Sequence, residues 1–240
     1  MEKLILLSFI EDSKFKFEVK KIVERSIQFK TDLDIHDNVI DPFGTLFNAY
    51  IYKKTSTEWI KGEESRRLKK TLEQDIGNFH ENIISKLKGD WGSFDGVLDV
   101  KNDRMGIVAE IKNKHNTTKG NHKKNIYDDL LGVIKTDEYN NYTGYYVEII
   151  PKSPLPFNIP FTPPDNETGL NRPKNERIRK IDGWSFYALA TGTPTALRDL
   201  YQELPKVIKQ VLKDLSYSNS FDLDNDDFFE GLMRAAFSRY

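Results

Sequence analysis

The chain has 240 residues, 38% hydrophobic and 30% charged, and its 36 Lys and Arg nearly cancel 37 Asp and Glu to leave a net charge of −1. That length suits one large domain with a real core, while the absence of cysteine excludes a disulfide framework, thiolate zinc sites and cysteine nucleophiles. The longest apolar run, Leu4 to Ile10, is interrupted by Ser8. It is too short to cross a bilayer and has neither a basic leader nor a cleavage site, so a cytoplasmic protein with no membrane partner is expected.

In chain order, Phe15, Val19, Ile22, Val23 and Ile27 fall at helical spacing over residues 13–30. Pro42 forces a turn, with a short helix following through Tyr52. Leu68, Leu72, Ile76, Phe79, Ile83 and Leu87 form the apolar stripe of a longer helix from about Gly62 to Leu87, with Gly89 as its cap. Strands are predicted over Phe94–Val100 and Ile107–Lys112, a helix over 123–134, and a buried strand over Tyr142–Ile150. Seven of the ten prolines lie in residues 151–181, which marks a long and functional loop. Ile181–Thr191 reads as a strand. A helix capped by Thr193-Pro194 runs to about Leu215 with a kink at Pro205, and a last helix starts at Asp224 or Asn225. Alternating helices and strands make this a single α/β domain over 1–240. Residues 1–60 form a helical N-terminal layer, 61–150 the core, 151–181 the proline-rich loop, and 182–240 a strand and C-terminal helices.

Near-neutral net charge conceals segregation. Windows 61–70, 101–124 and 172–180 carry net charges of +3, +5 and +4, whereas 214–230 holds six acids and no base. A local basic field matters more to a nucleic-acid partner than the total does, and a basic cleft on a nearly neutral protein is the expectation.

Chemistry concentrates in residues 94–112. With Asn102-Asp103 as a two-residue hairpin turn, opposed residue numbers sum to 205, and Asp95 falls opposite Glu110. One face is then Phe94, Gly96, Leu98 and Val100 with Met105, Ile107, Ala109 and Ile111, all apolar or Gly; the other gathers Asp95, Glu110 and Lys112. In this register Asp99 lies roughly 13 Å from the Glu110 level at ~3.3 Å per residue. Two carboxylates and a lysine at a strand end suit a metal-dependent phosphodiesterase. The acids bind Mg²⁺, the metal activates water, and Lys112 orients or deprotonates that water. A bare Glu-x-Lys on an exposed strand would have no such role.

Asp95 followed by Glu110-Ile111-Lys112 resembles the PD-(D/E)xK nuclease motif, with Phe94 where the motif's name has Pro. The string Ala109-Glu110-Ile111-Lys112-Asn113-Lys114-His115-Asn116-Thr117-Thr118-Lys119, with Asn38-Val39-Ile40-Asp41-Pro42-Phe43 and Asp182-Gly183-Trp184-Ser185-Phe186-Tyr187, is similar to Type II restriction endonucleases that cut GGNCC or GGWCC sites. The resemblance spans about residues 38–205. It implies a restriction-endonuclease-like mixed central β-sheet flanked by helices, and Mg²⁺-dependent cleavage of double-stranded DNA to 5′-phosphate and 3′-hydroxyl ends. It also implies a homodimer in a prokaryotic cell, with no organic cofactor. Asp95, Glu110 and the Ile111 carbonyl would hold the metal and Lys112 would serve the water. Of the helix acids Glu64, Glu73 and Glu81, Glu64 ranks first as an extra ligand because it is nearest the basic end. A repair or junction-processing nuclease of the same fold and a non-catalytic DNA-binding protein are the rival readings.

Lys114, His115, Asn116, Thr117, Thr118 and Lys119 follow the catalytic strand and suit phosphate contact. Arg172, Lys174, Arg177 and Arg179 suit guanine reading in the major groove. The four His are not spaced as a helical zinc pair, and structural or phosphate-contacting roles are expected.

Overall fold

The computed structural model describes residues 6–35, 39–118, 120–217 and 227–240. Its centre is a mixed sheet in the order β1-β2-β3-β4-β8-β5. The strands are β1 (Trp91–Ser93), β2 (Val100–Asn102), β3 (Ile107–Lys114), β4 (Thr143–Ile150), β5 (Asn158–Pro160) and β8 (Ile178–Asp182). A separate two-stranded ribbon, β6 (Pro164–Asp165) with β7 (Leu170–Asn171), stands in the proline-rich segment. β1, β2 and β3 run antiparallel, β3, β4 and β8 parallel, and β5 returns antiparallel.

Helices cover both faces. α1 (Asp12–Asp32), α3 (Ser56–Ile84), α5 (Gly183–Thr191), α6 (Ala196–Asp214) and α7 (Asp227–Ala236) share a core with Val100, Ile107, Ala109, Ile111, Val147 and Ile149. α4 (Gly120–Ile134) covers the other face, packing Ile126, Tyr127, Leu130 and Ile134 on Val108, Tyr146 and Ile178. α2 (Pro42–Ile51) lies outside both clusters. No helix among the described residues is long and apolar enough to cross a membrane.

Three expectations are corrected. The long helix begins at Ser56, ahead of Gly62, because Thr55 and Glu58 form a capping box; it ends at Ile84, short of Leu87 and Gly89. The segment 94–99 is a loop between β1 and β2, so Phe94–Val100 is not one strand. The run Ile181–Thr191 turns from strand to helix at Asp182, whose side chain accepts the Ser185 N–H at 2.9 Å. Gly192, at φ +71°, closes that helix. α5 buries Trp184, Phe186, Tyr187 and Ala190, and a short apolar run of this kind has no periodicity that separates strand from helix. Gly183 permits the close approach of α5 to β4: a Cβ there would stand 2.4 Å from the Ile149 carbonyl oxygen. His80 is a core residue, bonded to the Tyr187 hydroxyl at 3.0 Å, and burial lowers its pKa to about 4. The predicted start of the last helix, and the acids Asp222, Asp224 and Asp226, lie outside the described residues.

Candidate active site

The β2–β3 hairpin sets the site. Val100 pairs with Ala109, Lys101 with Val108 and Asn102 with Ile107, so opposed numbers sum to 209 and not 205. The turn is Asp103–Gly106, with Gly106 supplying the positive φ of +61°. Asn102 is therefore a ladder residue and not a turn residue. Its buried side chain donates to the Gly89 carbonyl at 2.6 Å and accepts the Met105 N–H at 2.8 Å. This register brings Asp99 to the Glu110 level, and Asp95 lies exposed in the β1–β2 loop. The predicted Asp95–Glu110 pairing is thus replaced by Asp99–Glu110.

Asp99 is held by both its backbone and its side chain. Its N–H donates to the Ala109 carbonyl at 3.1 Å, and its carbonyl accepts the Phe94 N–H at 3.1 Å. Paired strand β2 stops at Val100, and the Asp99 Oδ2 takes over the ladder by accepting the Ile111 N–H at 2.6 Å. Lys112 Nζ lies 2.5 Å from Glu110 Oε1 and 3.8 Å from Asp99 Oδ2, and it also donates to the Ile111 carbonyl at 3.1 Å. Of the five residues expected at the metal or the water, Glu110, Ile111 and Lys112 are thus brought together, Asp99 stands where Asp95 was expected, and Glu64 lies elsewhere.

The electrostatics suit a cation at this pair of acids. Burial and the neighbouring Asp99 raise the Glu110 pKa to about 7, and Glu110 Oε2 is buried without a hydrogen-bond partner. Burial alone would lower the Lys112 pKa, but Asp99 and Glu110 outweigh it and hold the ammonium above its ordinary value. Glu81 of α3 is the helix acid drawn into this field. Burial, then Asp99 and, less strongly, Glu110 raise its pKa to about 7, opposed by Lys112. Glu64, ranked first on sequence, lies about 25 Å further along α3 at ~1.5 Å per residue. Glu73 instead pairs with Lys114 at 3.3 Å. Among the described residues no three His or acidic side chains form a closed metal cage. A hard cation here would keep several waters beside the Asp99–Glu110 pair, as Mg²⁺ prefers to do.

The basic residues are distributed less simply than their windows suggest. Arg67 is buried and bonds the Asp34 carbonyl, and Arg66 pairs with Glu63 at 2.6 Å. The 61–70 block therefore lies roughly 20 Å along α3 from Glu81 and does not join the site. In the loop after β3, the Thr117 hydroxyl donates to the Lys114 carbonyl at 2.7 Å and the His115 N–H to the Ile150 carbonyl at 3.0 Å. Asn116 is exposed, whereas Thr118 is buried beside the Tyr146 hydroxyl at 3.4 Å. Lys119 lies outside the described residues. Arg172 pairs with Asp128 and Asp165, Arg177 bonds the Asn140 carbonyl, and Arg179 is held by Asn158 and Glu176. Lys174 is exposed and pairs with Glu176 at 2.6 Å.

One constellation was missed from sequence. Glu148, level with Lys112 in the β3–β4 ladder and buried, pairs with Lys123 at 3.2 Å and Lys180 at 2.9 Å. The alternation of Tyr146 and Glu148 along β4 carries the signal, since it places Glu148 on the same face as Glu110 and Lys112.

A family model for the Eco47II restriction endonuclease matches residues 7–213. The chain is 35% identical over 230 residues to the Type II restriction enzyme Eco47II of Escherichia coli, covering 93% of this chain and 95% of that one. It is 31% identical over 172 residues to the Type II restriction enzyme Sau96I of Staphylococcus aureus, covering 70% and 65% respectively. Extended over nearly the whole chain, this similarity places it in the Eco47II restriction endonuclease family of site-specific deoxyribonucleases.

Proposed function

We propose that the chain cuts double-stranded DNA at a GGNCC or GGWCC site with Mg²⁺, leaving 5′-phosphate and 3′-hydroxyl ends. In this reading Asp99, Glu110 and Lys112 carry the reaction inside the cell that makes the enzyme. The convergence of those three groups, with Glu110 Oε2 buried and unpartnered, carries the reading. Asp99 and Glu110 would hold the metal, with Glu81, whose carboxyl is influenced by Asp99, Lys112 and Glu110, as the further acid of the site. When bound, Mg²⁺ supplies a water of lowered pKa and offsets charge on the scissile phosphate.

The chain's own part is positioning and charge stabilisation. The Ile111 N–H fixes the Asp99 carboxylate. The Lys112 ammonium, held charged by Asp99 and Glu110, stabilises the negative charge that builds on the phosphoryl oxygens. Lys114, His115, Asn116 and Thr117 grip the phosphates flanking the cut. Lys174 and Arg177 are the exposed basic residues of the 172–180 block, Lys174 paired with Glu176 and Arg177 bonded to the Asn140 carbonyl. Arg172, Lys174, Arg177 and Arg179 must all exchange intramolecular partners to reach bases. A palindromic site is met by two copies about a two-fold axis, one active site per strand.

Incubating the enzyme with phage DNA and Mg²⁺ and sequencing the ends tests this directly. Discrete fragments with one terminal sequence and 5′-phosphates are expected. A smear, or cleavage confined to branched DNA, would instead select a repair or junction nuclease. Asp99→Ala is expected to abolish cutting and Asp95→Ala to preserve it; the reverse result would overturn the site.

A further inference from the structure

Helix α2 is amphipathic in the wrong direction for a monomer. Phe43, Leu46, Phe47, Tyr50 and Ile51 follow the i, i+3, i+4, i+7, i+8 spacing of a core-facing stripe, yet they are 74%, 58%, 70%, 83% and 65% exposed. Tyr52, next in the chain, is 65% exposed. No residue of α2 is buried, and the less exposed positions are Thr45, Asn48 and Ala49. The helix thus turns its small and polar side toward its own chain and its aromatic side to solvent. A helix of ten residues is marginal in water without tertiary cover.

The size of the stripe indicates what covers it. Aromatic side chains bury ~150–250 Å² each, so with Leu46 and Ile51 the exposed stripe amounts to roughly 700 Å². That exceeds the ~300–600 Å² of the largest patch on a typical monomer and approaches the ~800 Å² per partner of a standard specific interface. Residues 42–51 contain no charged side chain. The stripe itself therefore has no cation for DNA phosphates or an anionic lipid surface, and Lys54, beyond its C-terminal end, lies over the Tyr52 ring at 5.8 Å. The stripe can face its own copy without like-charge repulsion.

We infer that α2 is the seam of a homodimer, with a second copy laying its α2 stripe against the first about a two-fold axis. The inference takes the number of copies from the proposed cleavage of a palindrome, but it takes the surface from α2 alone. In an isologous contact each stripe meets its twin, so the helix midpoint near Leu46 and Phe47 lies beside the axis.

The experiment is sedimentation equilibrium of the full chain without DNA, comparing the wild type with Phe47→Glu/Tyr50→Glu. A wild-type dimer is expected. The double variant should raise the dimer Kd by about 100-fold or more, since each interface would bury unpaired carboxylates. Its far-UV circular dichroism should be unchanged, because neither side chain is buried in its own chain. The chain has no cysteine, so Leu46→Cys provides a second readout: oxidation should yield a disulfide-linked dimer that reductant dissolves. A wild-type dimer that both the double variant and an unlinked Leu46→Cys leave intact would overturn the seam and spare the two-copy reading. A wild-type monomer, including one that floats with lipid vesicles, would overturn the seam. One copy per cleaved duplex would then remove the two-copy reading as well.

Discussion

Replacing Glu110 with Gln should stabilise the metal-free protein at alkaline pH while abolishing cleavage. Glu110 has only 12% of its side chain exposed, and burial beside Asp99 raises its pKa from 4.5 to about 7. A carboxyl whose folded pKa is raised contributes stability below pH 4.5 and loses it as pH rises through 7. At pH 8 the ionised group therefore costs roughly 3 kcal/mol at 1.36 kcal/mol per pKa unit. Gln removes that cost but leaves Lys112 with one partner fewer, so a net gain of about 1–2 kcal/mol is expected. For a chain of this length the gain corresponds to a melting temperature about 2–8 °C higher. Thermal melts in chelator at pH 5 and pH 8 would read it. The difference between the proteins should shrink as pH falls toward 4.5, where Glu110 is neutral in both states, and Mg²⁺ at pH 8 should narrow it by stabilising the wild type alone. If Glu110→Gln were less stable than wild type by the same amount at both pH values, the carboxylate would not be destabilised and the electrostatic account of the site would fail.

Lys112→Ala should lower cleavage by at least about 100-fold, the scale of losing one transition-state donor, while specific DNA binding in Ca²⁺ persists in gel-shift titrations. Glu148→Gln should cost about 2–4 kcal/mol in denaturant unfolding, because Lys123 and Lys180 lose a buried counter-charge. Gly183→Ala should destabilise by about 3 kcal/mol or more, since its Cβ would press on the Ile149 backbone; a wild-type melting temperature would show that α5 can move away from β4.

The alternation of helices and strands and the Glu110–Lys112 pair were legible from apolar periodicity and residue type, and the mixed sheet was what the family resemblance implied. The partner acid was not, for a specific reason. Moving the hairpin register from 205 to 209 is an even shift, and an even shift leaves every side chain on the same face. Val100, Ile107, Ala109 and Ile111 share a core in either register, so burial patterning could not detect the difference; turn length alone could. Asn102 misled because an Asn that accepts a turn N–H two or three residues on looks in sequence like one sitting in the turn. Glu81 was obscured by its neighbours, since proximity to basic residues along α3 favoured Glu64, whereas the approach of a helix to a sheet edge is set by tertiary packing. The Thr55–Glu58 capping box, by contrast, was readable and marks the true start of α3.

The Asp99 side chain that completes the β3 ladder would, as the proposed metal ligand, be set in place by the fold itself. A ligand normally loses its rotamer freedom when the ion arrives, at a cost of about 0.5–1.5 kcal/mol per side chain. Here that freedom is already restricted in the folded chain, because the Ile111 N–H holds this carboxylate at 2.6 Å. An Asn at position 99 would preserve the ladder bond and lose the charge, whereas an Ala would lose both. The same side chain thus supplies an acceptor to a paired backbone and would supply a charge to the proposed metal, and Asp can do both.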